Sequence, residues 1–252
     1  VEAADAHELD EAVAMTRLAG DRSLDWFRSP SLGVEHKGDG TPVTVADRSV
    51  ERALREAIAE RWPHDAVEGE EEDPTPGTSG RRWIIDPIDG TKAFTHGVPL
   101  YSTLVALEDE RGHALGIIHL PALGRTVWAG RGLGCFEDGE PVGVADRSHL
   151  RGAYVSTSGF SSWSPSAFQA VQSAGALLRT WGDGFGYALV ATGRLDAMVD
   201  PLVALWDVAP MPVILAEAGG RFTDLTGVAR ADGGSGAASA GTIHDELLAL
   251  FA

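Results

Sequence analysis

The chain has 252 residues, 44% apolar and 23% charged, which excludes a disordered chain and suffices to bury about three-quarters of the unfolded surface. Its 37 Asp and Glu against 20 Lys and Arg leave a net charge of −17, a field that repels nucleic acid and anionic membranes and attracts cations. The lone Cys135 excludes an intrachain disulfide and a cysteine-clustered metal site, and no apolar run approaches the roughly 20 residues of a membrane span.

In chain order, residues 1–10 are acidic and lack the basic-then-apolar plan of a signal peptide, so a cytoplasmic location is expected. Apolar spacing from Leu9 through Val13 to Phe27 predicts an amphipathic helix broken around Gly20. Val50, Leu54, Ala57 and Ile58 predict a second helix, stopped by Pro63. The acidic, Pro- and Gly-rich stretch 68–80 reads as a loop. Strands are expected at 83–85, 101–107, 115–119 and 126–129, with a hairpin turn at Arg111-Gly112. The second half alternates: strands at 153–156, 176–180 and 197–199, helices at 165–173, 187–192 and 208–218. Gly219-Gly220 end the last of these helices, and Pro212 predicts an irregular start. Small residues at 233–241 read as a loop before a single helix at 242–252. No internal repeat is present, and mixed strands and helices without a βαβ cadence indicate layered α+β.

The most informative segment is 83–91, where a buried strand reaches Asp86, Pro87 turns the chain and Asp89 follows three residues on. Two carboxylates at a strand end, beside the free N–H groups of a helix beginning at Gly90-Thr91, can hold a hard cation and a phosphate together. The same spacing also suits a turn in which Asp89 caps a helix. Two residues separate the acids, so the segment lacks the D-x-D spacing that an aspartyl-phosphate nucleophile requires. The glycine clusters 130–134 and 182–186 lack the full G-x-G-x-x-G spacing and read as hairpin or loop glycines. Glu68 to Asp73 carries five acids in six residues, either a solvated loop or donors beside the strand that delivers Asp86. Asp47 fits a capping box begun by Thr44, and Asp207 fits a helix N-cap. No histidine pair has zinc spacing and no serine sits in a nucleophile elbow, so carboxylates are the available ligands, favouring Mg²⁺ or Mn²⁺.

Taken together, Gly69-Glu70-Glu71, the segment 83–91, Trp206-Asp207-Val208-Ala209, Glu217-Ala218-Gly219-Gly220 and Asp47 at the end of 41–47 resemble the inositol monophosphatase family of metal-dependent phosphatases. The resemblance runs along essentially the whole chain. It implies a layered αβαβα sandwich, a cytoplasmic enzyme and a homodimer. It also implies a single phosphatase domain, 1–252, with a metal-binding lobe over roughly 1–145 and a substrate lobe over 146–252. Glu70, Asp86, Asp89, Asp207 and the Ile88 carbonyl correspond to metal ligands for two or three Mg²⁺, with Mn²⁺ a possible substitute. Asp47 and Thr91, with Glu70, correspond to the groups that orient and activate the attacking water. Gly90 and Thr91 correspond to phosphate-binding amides.

Within the family, Asp89-Gly90-Thr91-Lys92-x-Phe94 is similar to histidinol-phosphate phosphatases and to 3′(2′),5′-bisphosphate nucleotidases. Asp183 and Asp200 stand where a nucleotidase needs bases for its second phosphate, and their charge suits an ammonium-bearing substrate, so both are expected to bind substrate. Gly97-Val98-Pro99 and 190–194 also resemble the histidinol-phosphate branch. Histidinol phosphate is therefore the expected small-molecule partner, with inositol 1-phosphate or a range of sugar phosphates as the alternative. A nucleotidase or a non-catalytic phosphate-binding module is a more distant reading. Phe94 or Tyr187 could face the imidazole or belong to the core. Ser239-Ala240-Gly241 lacks the Asn that relatives often carry there.

Overall fold

The computed structural model describes residues 2–29, 32–36, 38 and 42–252. Helix α1 (Ala6–Gly20) is capped by Asp5 and gives way at Gly20 to a 3₁₀ turn, Asp21–Asp25. Strands β1 (Val34–His36) and β2 (Pro42–Thr44) form a small antiparallel ladder leading into α2 (Val45–Arg61). Then follow β3 (Ala66–Gly69), β4 (Arg82–Asp89), the short α3 (Thr91–Thr95), β5 (Ser102–Asp109), β6 (Gly112–Leu120), β7 (Arg125–Gly130), β8 (Gly134–Glu137) and β9 (Glu140–Pro141). The second half comprises β10 (Tyr154–Ser156), α4 (Pro165–Ser173), β11 (Leu177–Arg179), α5 (Asp183–Ala191) and β12 (Ala197–Asp200). It ends with α6 (Leu205–Val208), α7 (Met211–Glu217), β13 (Gly220–Thr223), β14 (Gly236–Ala240) and α8 (His244–Leu248).

Strands β3 to β9 form a seven-stranded sheet in sequence order, antiparallel except for the β3–β4 pair. The five-stranded sheet runs β11-β10-β12-β14-β13, parallel at one edge and antiparallel at the other. Successive strand residues point to opposite faces, so the unbroken apolar runs of β4 to β6 require both faces of their sheet to be covered. On one face Leu9 and Val13 of α1 and Val50, Leu54 and Ile58 of α2 pack against Trp83, Val105 and Ile117. On the other, Leu104 and Ile118 meet Tyr187 and Val190 of α5, Ile214 of α7 and Phe222 and Ala238 of the second sheet. That sheet buries Val155, Val199 and Ala237 against Val171 of α4 and Leu247 of α8. The layers are therefore α, β, α, β, α. Full burial of one such side chain contributes about 1.5–3 kcal/mol, so the three cores together fix the stacking.

Several elements differ from the sequence reading. The strand expected at 83–85 continues to Asp89, because a bulge rather than a turn absorbs Pro87. The stretch 68–80 begins inside β3, and Thr75 in its middle bridges back to Val67. The glycine cluster 182–186 is the opening turn of α5 rather than a loop, which starts the helix expected at 187–192 four residues early. The helix expected at 208–218 is two helices that break at Ala209-Pro210, in keeping with the irregular start that Pro212 foretold. Residues 236–240 form β14, an inner strand of its sheet, instead of a loop. The helix expected at 242–252 is a 3₁₀ turn, Gly241–Ile243, followed by the five-residue α8. Within the stretch Ser239-Ala240-Gly241, Ser239 Oγ shares a 2.8 Å hydrogen bond with His244 Nδ1. Phe94 is buried in an aromatic cluster with Phe27 and Tyr101. Among the described residues no helix is long and apolar enough to cross a membrane.

Candidate active site

Strand pairing at the end of β4 assembles the acids. Parallel pairing sets Gly69 opposite Ile85, so Glu70 and Asp86 leave the ladder side by side. On the antiparallel side Asp86 faces Leu104 and Asp89 faces Ser102, three steps along β4 against two along β5. In a regular strand, residues three apart point to opposite faces. The extra residue of the bulge cancels that reversal and turns both carboxylates into one cavity. Asp207, in the only full turn of α6, joins them from the second half of the chain, its Oδ2 accepting the Ala204 N–H at 2.8 Å. Carboxylate oxygens of Asp86, Asp89 and Asp207 lie within 4.8 Å of one another.

Asp47 arrives from the first turn of α2. The sequence Thr-x-x-Asp forms the expected capping box, in which Asp47 Oδ2 accepts from the Thr44 N–H at 2.8 Å and the Thr44 hydroxyl at 2.6 Å. Among the described residues, Asp47 Oδ1 and Asp86 Oδ1 are buried without a hydrogen-bond partner. An unsatisfied buried carboxylate oxygen costs its full desolvation penalty, so Asp86 Oδ1, in the cavity wall, fits a cation or water held there, while Asp47 lies behind the lining residues. Burial pushes the Asp47 carboxyl up to about 6, opposed by the Thr44 bonds and reinforced by the charge of Glu70. Burial pushes Asp207 up to about 7, with Glu70, Asp183 and Asp200 adding repulsion. Asp86 is raised well above the carboxylate range by burial, then by Glu70, Asp89, Asp207 and Asp47. Asp89 is raised likewise by burial and by the charges of Asp183 and Asp207. Mutual repulsion of this kind disappears when a divalent cation sits among the acids.

Asp89 is clamped from both halves of the chain. Its Oδ2 accepts from Ser102 Oγ at 2.5 Å and from the Gly184 N–H at 2.6 Å. A Cβ on Gly184 would lie 2.3 Å from Ser102 Oγ and 2.7 Å from Asp89 Oδ2, so this approach requires glycine. Gly90 follows with φ +80°, a left-handed turn that starts α3, and the Thr91 hydroxyl donates to the Ile88 carbonyl at 3.1 Å. Asp183 has φ +54°, an unusual backbone for a non-glycine residue, and its Oδ2 lies 2.9 Å from where a Gly90 Cβ would stand. Its N–H donates to Ser158 Oγ at 2.9 Å. Burial pushes Asp183 up to about 6 with help from Asp200, while Ser158 and the Lys92 charge pull it down.

Asp200 accepts four hydrogen bonds, from Thr157 Oγ1, Ser158 N, Ser158 Oγ and the Tyr187 hydroxyl, at 2.8 to 3.1 Å. Four donors fill the lone-pair sites of a carboxylate. All of Glu70, Asp86, Ile88, Asp89, Gly90, Thr91, Asp183, Asp200 and Asp207 line one cavity of about 560 Å³, together with Lys92 and Ser158. Sequence reasoning did not find Ser102, Ser158 or Gly184. The available signals were a hydroxyl inside an apolar strand, which needs a partner when buried, and glycines flanking Asp183. The first was read as ordinary strand and the second as loop.

The sequence model of the inositol monophosphatase family matches residues 5–252. The chain is 42% identical to the histidinol-phosphatase of Chlorobaculum parvum over 237 residues, which cover 92% of each protein. It is 39% identical to the histidinol-phosphatase of Mycobacterium tuberculosis over 246 residues, 94% of this chain and 95% of that one. Among solved structures, the inositol monophosphatase (IMPase) of Thermotoga maritima superposes with a TM-score of 0.89 at 32% identity, over 97% of this chain and 96% of that one. The likeness extends through all five layers.

Proposed function

The chain belongs to the inositol monophosphatase family, a family of metal-dependent phosphatases, and we propose that it hydrolyses L-histidinol phosphate to L-histidinol and phosphate. The observation that carries the substrate choice is the charge of the cavity. Among the described residues its lining holds six acids, Glu70, Asp86, Asp89, Asp183, Asp200 and Asp207, against the single base Lys92. A second phosphate has little to bind there, whereas an amino alcohol ester brings the ammonium that Asp183 complements.

Glu70, Asp86, Asp89, Asp207 and the Ile88 carbonyl are assigned to hold the metal. A donor set made only of oxygen suits Mg²⁺, with Mn²⁺ as a substitute. Held there, such cations would supply charge neutralisation for the phosphate and acidity for the attacking water. Asp47 Oδ1, without a hydrogen-bond partner among the described residues, accepts a proton of the attacking water. Thr44 fixes the other oxygen of that carboxylate and hence its direction. Thr91 Oγ1 holds the same water, and the Gly90 and Thr91 N–H groups hold the phosphate. Oxygen of the water forms the new bond to phosphorus, the ester P–O bond breaks, and the departing oxygen takes a proton from solvent water to give the alcohol, while Asp47 returns its proton to solvent.

The same reading takes 1–252 as one phosphatase domain, with the metal-binding acids carried mainly on the lobe 1–145 and the substrate contacts on 146–252. A cytoplasmic homodimer is part of it, testable by sedimentation. The activity is tested by phosphate release from L-histidinol phosphate, with Mg²⁺, after chelation and after Mg²⁺ is restored. Release that stops on chelation and returns with Mg²⁺ is expected. Absence of release at every Mg²⁺ concentration would refute the proposal.

A further inference from the structure

Glu51 is a fully buried carboxylate on α2 that lies outside the cavity lining and takes no part in the chemistry above. Its two oxygens accept consecutive backbone N–H groups, Glu71 N to Oε2 at 2.8 Å and Glu72 N to Oε1 at 3.0 Å. Arg55, one helical turn on, donates Nε to Glu51 Oε1 at 2.9 Å, Nη2 to the Glu72 carbonyl at 2.9 Å and Nη1 to Thr75 Oγ1 at 3.1 Å. The strand bends tightly over this pair, for a Cβ on Gly69 would lie 2.3 Å from Glu51 Oε1.

Glu70 stands between Gly69 and these two held amides. Its charge raises the carboxyls of Asp47, Asp86 and Asp207, so all four acids repel one another when no cation is present. That repulsion pushes the 70–74 segment, which has no ladder of its own, away from the cluster. A buried ion pair is a weak source of net stability, and an apolar residue would pack α2 on the sheet as well. Placing the carboxylate under two amides directly after Glu70 does something an apolar residue cannot.

We propose that Glu51, braced by Arg55, is a positioning residue that holds Glu70 at the metal site against the repulsion of the other acids. The proposal rests on the reading of the cavity as a metal centre. Outer groups that orient metal ligands typically change affinity by about 10–100-fold when removed. The test is Glu51→Gln, which keeps the size and one acceptor, with Arg55→Lys as a second, milder variant. Mg²⁺ alone is titrated into each protein by calorimetry, and amide exchange is followed for residues 70–73.

A Mg²⁺ Kd raised about tenfold in Glu51→Gln, a smaller rise in Arg55→Lys, and faster exchange confined to 70–73 are expected. At saturating Mg²⁺ the KM for the phosphate ester stays unchanged. A lower Tm with Mg²⁺ affinity and local exchange both unaltered would overturn the proposal and leave Glu51 a packing residue. If the unaltered protein itself binds no Mg²⁺, the metal-centre reading falls and this inference falls with it. If it binds Mg²⁺ and the variants bind equally well, this inference alone fails.

Discussion

Asp86 feels the charges of Glu70, Asp89, Asp207 and Asp47 and has one oxygen with no hydrogen-bond partner among the described residues, so its loss separates chemistry from folding. Asp86→Asn should lower kcat by at least about a thousandfold, about 4 kcal/mol at 1.36 kcal/mol per tenfold. Its Tm without metal should hold or rise, since a repelling charge is gone. Residual activity restored by excess Mg²⁺ would contradict the role. Asp183→Ala should raise KM for histidinol phosphate while leaving p-nitrophenyl phosphate, which has no ammonium, much less affected; equal losses on both would make Asp183 structural. At this scale much was legible. Asp47 announced itself through Thr44, and the spacing of Asp86 and Asp89 pointed to a site. What the sequence does not show is where each carboxylate oxygen is spent. Asp200 looks like a free acid in the sequence, yet four donors occupy it in the fold.

The bulge in β4 and the first turn of α5 bring the two halves of the chain together at Asp89. Gly184→Ala places a methyl group against Ser102 Oγ and Asp89, and overpacking of this kind costs about 1–3 kcal/mol. Its signature should be weakened metal binding along with lowered stability, measurable by calorimetry and chemical unfolding. The bulge was not legible because a Pro between two acids reads as a turn, and only pairing to β5 reveals the extra residue. Strand β14 was missed for a related reason: Gly-Ala-Ala-Ser-Ala has no β-branched residue, and its extended form comes from neighbours on both sides.

At the start of the short helix α8 His244 turns inward, its ring nitrogens meeting Ser239 Oγ and Thr223 Oγ1. Burial, with the charge of Arg221, lowers its pKa to about 4. A histidine with a lowered folded pKa takes up its proton more readily when unfolded. Its stabilising contribution is complete above about 6.5 and lost as pH falls toward about 4. His244→Gln should make the acid side of the stability profile shallower; an unchanged slope would show that other groups set it.

Across the whole molecule the layered α+β class and most helices of the first half were visible in periodicity, because long amphipathic elements declare their buried face. The split of the later helices and the sheet order were not, since they depend on contacts between distant segments. The acidic balance also acquires a local meaning. Asp47, Asp183 and Asp207 are raised to about 6, 6 and 7 in the metal-free protein, and the unfolded chain has no such shift. The folded state therefore binds more protons, and metal-free stability contributed by these groups falls as pH rises from about 4 through 7. A divalent cation at this cluster would require the deprotonated acids, so any stabilising effect of Mg²⁺ should grow over the same window. At Mg²⁺ about a hundredfold above Kd the gain is about 2.7 kcal/mol, or roughly 5–10 °C in Tm, and it should nearly vanish near pH 5. A Tm shift equal at pH 5 and pH 8 would contradict the acid-cluster account.

If this cavity selects a phosphate ester carrying an ammonium group, the selection is read in the ratio of kcat/KM for L-histidinol phosphate to that for inositol 1-phosphate, with Mg²⁺ saturating. A ratio well above one is predicted, falling sharply in Asp183→Ala. A ratio below one in the unaltered protein would contradict the claim.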